Sequence, residues 1–221
     1  MGILQNIMYR ISDLLNGYNW LVIPAALLTV VFHEISHGYT AYLLGDRTAK
    51  DSGRLSINPI RHIDPVGLIC MVLFRFGWAK PVPVNPMYFK KRKAGMAVTA
   101  VAGPLSNIIF ALFSFIMIRL IILIPAGNEL VYNVLEFFIA FFSLLASLNV
   151  GLAVFNLIPI PPLDGSKILN AFLSDRVYYK ILRYEQYGIL ILILLLYFSP
   201  FDRVINFLAN ALYRGMYSLI F

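Results

Sequence analysis

The stretch AGMAVTAVAGPLSNIIFALFSFIMI, at residues 94–118, contains 25 consecutive residues without a charged side chain. About 20 predominantly apolar residues are enough to cross a bilayer as a helix, so this stretch predicts a membrane span. Two other uncharged runs reach a similar length, 14–32 with 19 residues and 137–163 with 27, and a shorter run of 16 covers 186–201. With 60% hydrophobic and 13% charged residues, the chain is predicted to be an all-α polytopic membrane protein.

The boundaries of the predicted spans follow from the residues that interrupt these runs. We expect main spans at 20–44, 95–124, 131–158 and 186–200, all within one domain that covers residues 1–221. The pattern of residues 204–221, which Arg214 interrupts, fits either a last span or a helix on the membrane surface. About four to six transmembrane helices are therefore expected.

Three other segments have patterns of their own. Residues 1–16 place apolar side chains at helical spacing, which indicates an amphipathic helix on the membrane surface or the first turns of a spanning helix. The ten apolar residues of 65–74 are too few to cross the membrane, and basic stretches flank them, so a re-entrant segment is expected. The stretch GWAKPVPVNP at 77–86 contains three prolines, which exclude a helix and favour extended chain.

The distribution of charge predicts the orientation of the spans. Thirteen of the 18 Lys and Arg residues fall in three short stretches. These stretches are Arg47, Lys50, Arg54 and Arg61; Lys80, Lys90, Lys91, Arg92 and Lys93; and Lys167, Arg176, Lys180 and Arg183. Because the loop at 125–130 has no basic residue, the positive-inside rule places the three stretches in the cytoplasm, and the net charge of +7 does not indicate nucleic acid. The single cysteine, Cys70, excludes an internal disulfide and a cysteine-rich metal site.

The stretch VVFHEISHG at 30–38 places titratable side chains inside a predicted span. On a helix His33 and His37 lie one turn apart on the same face, and H-E-x-x-H is the metalloprotease form of a zinc-binding pair. Glu34 follows the first histidine and can take a proton from water as it attacks a carbonyl. The alternative, two histidines satisfied by hydrogen bonds, is disfavoured because ionisable groups at membrane depth are costly and usually functional.

A catalytic zinc needs a third protein ligand and an open position. His62, Asp46 and Asp64 are candidates, but they lie in a basic loop and would have to fold back into the membrane. Asp164 follows three prolines in FNLIPIPPLDG, which stop the helix before it reaches the surface, and fits a ligand or a turn residue equally well. Because His37 lies roughly 10–12 Å from the cytoplasmic helix end, hydrolysis requires a cavity that opens toward the cytoplasm.

Three motifs, HEISHG at 33–38, AGPLSN at 102–107 and NLIPIPPLDG at 156–165, occur in this order within predicted spans. Together they resemble the site-2 protease family of intramembrane zinc metalloproteases, above all its short members without a PDZ domain. Those members also carry stretches like NPIRHIDPVG and GWAKPVPVNP, so the resemblance covers about residues 20–183. It implies one zinc ion per chain, bound by His33, His37 and Asp164, with Glu34 as the base.

The resemblance implies roles for further residues. Asn107, close to the depth of the metal motif, is expected to act in catalysis by hydrogen-bonding a substrate carbonyl or oxyanion, with helix packing as the alternative. Asn156 is expected to bind substrate from the cavity wall, or to be structural. The stretch 77–86 is expected to form a membrane-associated β-hairpin or loop at the entrance, with an ordinary linker as the alternative. There Val82 and Val84 would bind an unwound substrate strand.

The predicted function is an intramembrane zinc endopeptidase that cleaves transmembrane segments of other proteins, the role in regulated intramembrane proteolysis that the resemblance implies. Its expected partners are transmembrane protein substrates and the lipid bilayer, and we expect a multi-pass protein of a prokaryotic plasma membrane. A transporter or metal-ion permease would also use intramembrane His and Glu, but it would show inverted repeats and polar residues in several spans. A catalytically silent membrane scaffold would not need an intact H-E-x-x-H.

Overall fold

Helices dominate the computed structural model, which describes residues 17–65, 67, 79–174, 176–177, 187–188, 191, 194–195 and 201–221. The helices with described bounds are α1 Val22–Leu43, α2 Thr48–Asp51, α3 Arg92–Ile122, α4 Glu129–Asn156, α5 Asp164–Asn170 and α6 Phe201–Ile220. Short 3-10 turns occupy Asn19–Leu21, Pro59–Arg61 and Pro86–Tyr88. No strand occurs among the described residues, where an isolated antiparallel bridge joins Ile63 and Ala79.

Three helical segments are long and apolar enough to cross a membrane. Within the described residues these are Asn19–Leu43, Arg92–Ile122 and Glu129–Asn156, which confirms the helical membrane class predicted from the uncharged runs. The helices α1, α3 and α4 begin and end within three residues of the spans expected at 20–44, 95–124 and 131–158. The surface helix expected at 1–16 lies outside the described residues, as do most of the re-entrant segment at 65–74 and of the span at 186–200.

Local sequence signals set the ends of α4. Asn128 caps its start, because the side-chain oxygen accepts a hydrogen bond from the N–H of Val131 at 2.9 Å. The helix ends at Asn156, since the three prolines that follow cannot continue it. An irregular connection therefore leads from α4 to α5, whose first residue is Asp164.

Helix α3 is the centre of the bundle. It packs along α1 and α4, and the short α5 also contacts it. The core between α3 and α4 contains Ala111, Phe115, Ala146 and Val150, all of them buried. Because lipid is as apolar as these side chains, close packing and buried polar contacts, rather than the hydrophobic effect, hold such helices together. The two alanines, with no exposed surface, permit this close approach.

Helix α6 lies along the bundle for its whole length. Met216 is buried in the core between α3 and α4, and Phe201 packs at the other end against the α4–α5 connection. The guanidinium carbon of Arg119 lies 5.6 Å from the ring centre of Phe221. Residues 204–220 thus belong to one helix, α6, which packs lengthwise against α3 and α4, and Phe221 follows its last turn. This helix is not among the described helices that are apolar enough to cross a membrane.

Candidate metal centre

His33 and His37 lie one turn apart on the buried face of α1. Their Nε2 atoms are 3.0 Å apart, and the two residues are only 5% and 8% exposed. The Oδ2 atom of Asp164, at the start of α5, lies 3.2 Å from Nε2 of His33 and 3.0 Å from Nε2 of His37. Three atoms of the types that bind zinc therefore converge on one point. Within the described residues, this is the group that could hold a metal ion.

Asp164 is brought to the histidines by the proline break, which replaces the helix with a turn. Oδ1 accepts a hydrogen bond from Nζ of Lys167 at 3.2 Å, whereas the buried Oδ2 receives none from the described residues. The neighbouring ammonium of Lys167 favours the ionised carboxylate, and its Oδ2 is left for a cation.

The hydrogen-bond partners of the two imidazoles fix their tautomers. Nδ1 of His33 lies 2.6 Å from the side-chain oxygen of Asn107, and Nδ1 of His37 lies 2.7 Å from the main-chain oxygen of Thr99. Carbonyl oxygens only accept, so both Nδ1 atoms carry a hydrogen and donate it. In the neutral imidazoles both Nε2 atoms then direct lone pairs toward each other and toward Asp164.

The three acceptor atoms fit a divalent metal ion. Without a cation, lone pairs separated by 3.0–3.2 Å repel one another unless an imidazole takes up an extra proton. The ligands of a tetrahedral zinc, each at about 2.0–2.1 Å from the ion, are about 3.3 Å apart, close to these separations. Histidines that bind metal usually donate their other ring N–H to an oxygen, as these two do. Two imidazoles and one carboxylate leave a fourth position open, as a catalytic zinc requires.

Gly103 of α3 provides the space that the imidazoles occupy. A Cβ atom at this position would lie 2.5 Å from Cε1 of His37 and 2.6 Å from Cε1 of His33, closer than van der Waals contact permits. Glycine therefore lets α3 approach α1 at the level of the metal centre. Asn107, four residues later in the AGPLSN motif, lies on the same face of α3.

Asn107 supports His33 and does not face the cavity. It is fully buried, and its Nδ2 donates to the side-chain oxygen of Asn149 at 2.7 Å and to the main-chain oxygen of Thr29 at 3.4 Å. Asn149 donates to Oγ1 of Thr29 at 2.9 Å and to the main-chain oxygen of Leu145 at 2.8 Å. The two main-chain acceptors fix the orientation of both amides. Both N–H groups of Asn107 are therefore engaged within the protein, and its expected contact with a substrate oxyanion stays a prediction.

Glu34 lies beside the metal centre and outside the group of three ligands. Its Oε2 accepts a hydrogen bond from the main-chain N–H of Val82 at 2.7 Å. Val82 belongs to residues 79–85 of the GWAKPVPVNP stretch, which are called here the proline segment. In this conformation the Val82 N–H is committed to Glu34 and is not available to pair with a substrate strand.

The metal centre opens into a cavity of ≈ 650 Å³, which Glu34 and the three ligands line. Val82, Val84 and Asn156, the residues expected to bind substrate, line the same cavity. Asn156 donates to the main-chain oxygen of Leu152 at 3.1 Å, which engages one of its two N–H groups. No described residue hydrogen-bonds the main chain of Val84. The cavity walls thus combine the proline segment with the end of α4.

The other candidates for the third ligand are engaged elsewhere. His62 lines the cavity, but its Nε2 lies 2.8 Å from the main-chain oxygen of Ser56. Asp46 is fully buried and accepts a hydrogen bond from the N–H of Asn85 at 2.6 Å. Asp64 accepts one from the N–H of Gly67 at 2.9 Å. None of the three belongs to the ligand group found among the described residues.

Several contributors to the site are absent from the sequence prediction, among them Asn149, Gly103, the carbonyl of Thr99 and the N–H of Val82. Asn149 carries a detectable signal, since it is an amide inside an uncharged run and lies seven residues, or about two turns, before Asn156. Gly103 lies within a quoted motif, but its steric role depends on which helix it faces. The two main-chain groups have no side-chain signal, because nearly every residue carries them.

Comparison with known proteins agrees with this geometry. Residues 22–199 match peptidase family M50. "Putative zinc metalloprotease YwhC" of Bacillus subtilis (strain 168) is 38% identical over 178 residues, which cover 79% of this chain and 80% of that protein. "Putative zinc metalloprotease Rip2" of Mycolicibacterium smegmatis is 29% identical over 189 residues, 83% of this chain and 69% of that protein.

A more distant relative is "Zinc metalloprotease MJ0392" of Methanocaldococcus jannaschii, 28% identical over 170 residues, which cover 76% of this chain and 39% of that protein. No solved structure matches the chain. The family match covers residues 22–199, and with them all three motifs that resemble site-2 proteases. The chain therefore belongs to peptidase family M50.

Proposed function

We propose that the protein is a zinc-dependent endopeptidase that hydrolyses peptide bonds within transmembrane segments of other membrane proteins. The observation that carries this proposal is the convergence of two imidazoles and one carboxylate at 3.0–3.2 Å, beside Glu34 and between helices apolar enough to cross a membrane. The names of the relatives, which describe zinc metalloproteases, support the choice of metal. We assign His33, His37 and Asp164 as the ligands of one zinc ion per chain.

In this proposal the protein groups divide the reaction between them. When bound, zinc supplies Lewis-acid chemistry that polarises a peptide carbonyl and makes water more acidic. Glu34 takes a proton from the attacking water as the water oxygen bonds to the scissile carbon, and passes that proton to the amine as the C–N bond breaks. Asn107 holds His33 in the tautomer that binds metal. Asn156, on the cavity wall, is the amide we assign to the substrate.

The substrate must be unwound at the cut, because the carbonyls of a helix are bonded within it. The proline segment lines the cavity next to Glu34 and leaves the main chain of Val84 free of hydrogen bonds from described residues. We propose that a short extended stretch of substrate pairs with the segment at Val84. In this arrangement Val82 lines the cavity with its side chain, while its N–H stays bonded to Glu34.

We propose that the cavity opens toward the cytoplasm of a prokaryotic cell. The basic residues that follow α1 and precede α3 support this orientation by the positive-inside rule, and the named relatives come from prokaryotes. In a Cys70→Ser background, cysteines at Lys50 and Lys91 should react with an impermeant thiol reagent from the cytoplasm. A cysteine at Gly127 should react from outside. The opposite pattern would refute the orientation.

The function is tested with purified protein and a helical membrane substrate in vesicles. Wild-type protein should cleave the substrate, a chelator should stop cleavage, and added zinc should restore it. Glu34→Gln should keep its zinc and cleave at least about a hundredfold more slowly, because general acid–base catalysis of this kind contributes 10²–10⁴-fold. Loss of zinc from Glu34→Gln would make Glu34 a ligand instead of the base.

The same vesicles test the metal-ion permease. In that case wild-type protein and Glu34→Gln would both fail to cleave, and zinc would accumulate inside vesicles that contain wild-type protein. Cleavage without zinc accumulation supports the peptidase. Neither cleavage nor accumulation would leave the membrane scaffold as the function.

A further inference from the structure

We infer that the main-chain N–H of Val82 positions the carboxylate of Glu34 for catalysis. The inference deepens the proposed function and depends on Glu34 being the base. The hydrogen bond from Val82 N to Oε2 of Glu34 measures 2.7 Å. It joins residues 48 positions apart in the chain, so it is a tertiary contact and not a by-product of local folding.

The sequence around Val82 leaves one possible donor at this point. Prolines occupy positions 81 and 83, and proline has no N–H. Val82 is therefore the sole N–H donor between Lys80 and Val84. A main-chain N–H does not titrate, so it can hold one oxygen of Glu34 without competing for the proton that the other oxygen accepts.

Side chains from the preceding loop fix the position of this donor independently of Glu34. Nη2 of Arg54 donates to the main-chain oxygens of Lys80 and, at 3.2 Å, of Pro81. At the other end, Asp46 accepts a hydrogen bond from the N–H of Asn85 at 2.6 Å. Arg54 is 8% exposed and Asp46 is fully buried, so water does not compete with these contacts. The donor is thus held on both sides before any substrate binds.

The side chain of Val82 sets the register of the segment along α1. Val82 is buried and packs over Gly38, where an added Cβ atom would lie 2.8 Å from Cγ1 of Val82. Gly38 lies four residues after Glu34, one turn further along the same face of α1. A valine side chain in this notch therefore places its own N–H at the level of the Glu34 carboxylate.

This geometry gives Glu34 a defined orientation. A glutamate side chain has three rotatable bonds, and an unrestrained carboxylate would spend only part of its time facing the attacking water. With Oε2 held by Val82, the second oxygen remains for proton transfer. Removal of the N–H should lower kcat by about tenfold to a hundredfold, the effect expected from losing a hydrogen bond to a charged group.

The experiment compares Val82→Pro, which removes the N–H, with Val82→Ala, which keeps it and shortens the side chain. Val82→Pro should lose kcat by this factor with unchanged zinc content and KM within a few-fold. Val82→Ala keeps the N–H but fills the notch over Gly38 less well, so it should lose clearly less kcat than Val82→Pro. Val84→Pro removes an N–H that donates to no described residue and that we propose pairs with substrate. It should therefore raise KM and change kcat much less. To check whether the segment keeps its position, each Val82 variant is combined with Val84→Cys in the Cys70→Ser background. The rate at which a thiol reagent labels this cysteine is then compared with the rate in the protein with Val82.

A wild-type kcat in Val82→Pro, or an equal loss in Val82→Ala, would overturn the inference. If labelling shows that proline displaces the segment, Arg54→Ala decides the question, because it frees the segment and leaves the Val82 N–H in the chain. The inference then requires a similar fall in kcat, and an undiminished kcat with a displaced segment overturns it. Glu34→Gln serves as the reference. If it cleaves as fast as wild type, the proposed base is wrong, which is a separate failure.

Discussion

The metal centre and the proline segment meet at Glu34, but they are built in different ways. The metal centre consists of side chains from four helices, with the network of Asn107, Asn149 and Thr29 behind His33. The proline segment is held through its main chain, by Arg54 at one end and Asp46 at the other. The first region therefore depends on side chains that contact one another, and the second depends on main-chain groups that buried side chains hold in place.

This difference predicts how each region fails. Changes in the metal centre should reduce zinc binding and proteolysis together, because the ligands depend on their buried supports. Changes in the proline segment should leave zinc in place and reduce proteolysis alone, since the segment contacts the base and not the ligands. A variant of one region with the signature of the other would break the comparison.

The largest effect is expected from Gly103→Ala in the metal centre. Its Cβ atom would lie within 2.6 Å of atoms of both imidazoles, and the helix backbones cannot both stay in place. Zinc affinity should fall by more than the roughly hundredfold that follows the loss of a supporting hydrogen bond, and proteolysis should fall with it.

Gly151→Ala is the matched control for this change, because nothing lies within 4 Å of a Cβ atom at that helical glycine. It should keep both zinc and activity. Metal content per purified chain and the cleavage rate check the pair. Equal zinc in the two variants would mean that α3 does not approach the imidazoles as closely as described.

A smaller effect is expected from Asn149→Leu, which tests the network behind His33. Leucine cannot accept from Asn107 or donate to Thr29, so only the 3.4 Å bond to the Thr29 main-chain oxygen still orients the Asn107 amide, and the tautomer of His33 is less firmly fixed. Zinc affinity should fall by about tenfold to a hundredfold, as measured by competition with a chromogenic chelator. Asn133→Leu, at an exposed position of the same helix, should not change the affinity.

The smallest effect is expected from Gly38→Ala, on the side of the proline segment. The new Cβ would lie 2.7 Å from Cδ2 of Leu55 and 2.8 Å from Cγ1 of Val82, and these side-chain ends can rotate away. Proteolysis should fall by about threefold to tenfold, less than the hundredfold that a 1 Å misplacement can cause, with zinc content unchanged. Loss of zinc from this variant would show that the two regions are not independent.

The metal centre is largely predictable because its ligands are side chains, whose types and spacing can be read from the sequence. The spacing of His33 and His37 and the uncharged runs indicated a metal site inside a helical membrane protein. The prolines before Asp164 predict a break in the helix. The residues alone do not decide whether this aspartate is a metal ligand or a turn residue. The family resemblance favoured it as a ligand, and the fold brings it to the histidines.

Other features could not be predicted because they depend on how helices face one another. The sequence predicts that Asn107 contacts substrate, but the acceptors of its two N–H groups, on Asn149 and Thr29, depend on how α4 and α1 face α3. The hydrogen bond between Val82 and Glu34 uses a main-chain donor, which has no signal in the sequence. The prolines predict that this segment is extended, but they do not predict its register along α1. Register comes from packing at Gly38, which is a tertiary property.

The central claim is that His33, His37 and Asp164 together bind zinc, and metal content measured on three purified proteins tests it most directly. Wild-type protein should hold close to one zinc per chain. Asp164→Ala leaves two imidazoles, too few for a stable catalytic site, and should lose most of the metal, whereas His62→Ala should keep it. Zinc retained by Asp164→Ala and lost from His62→Ala would contradict the account and indicate a three-histidine site.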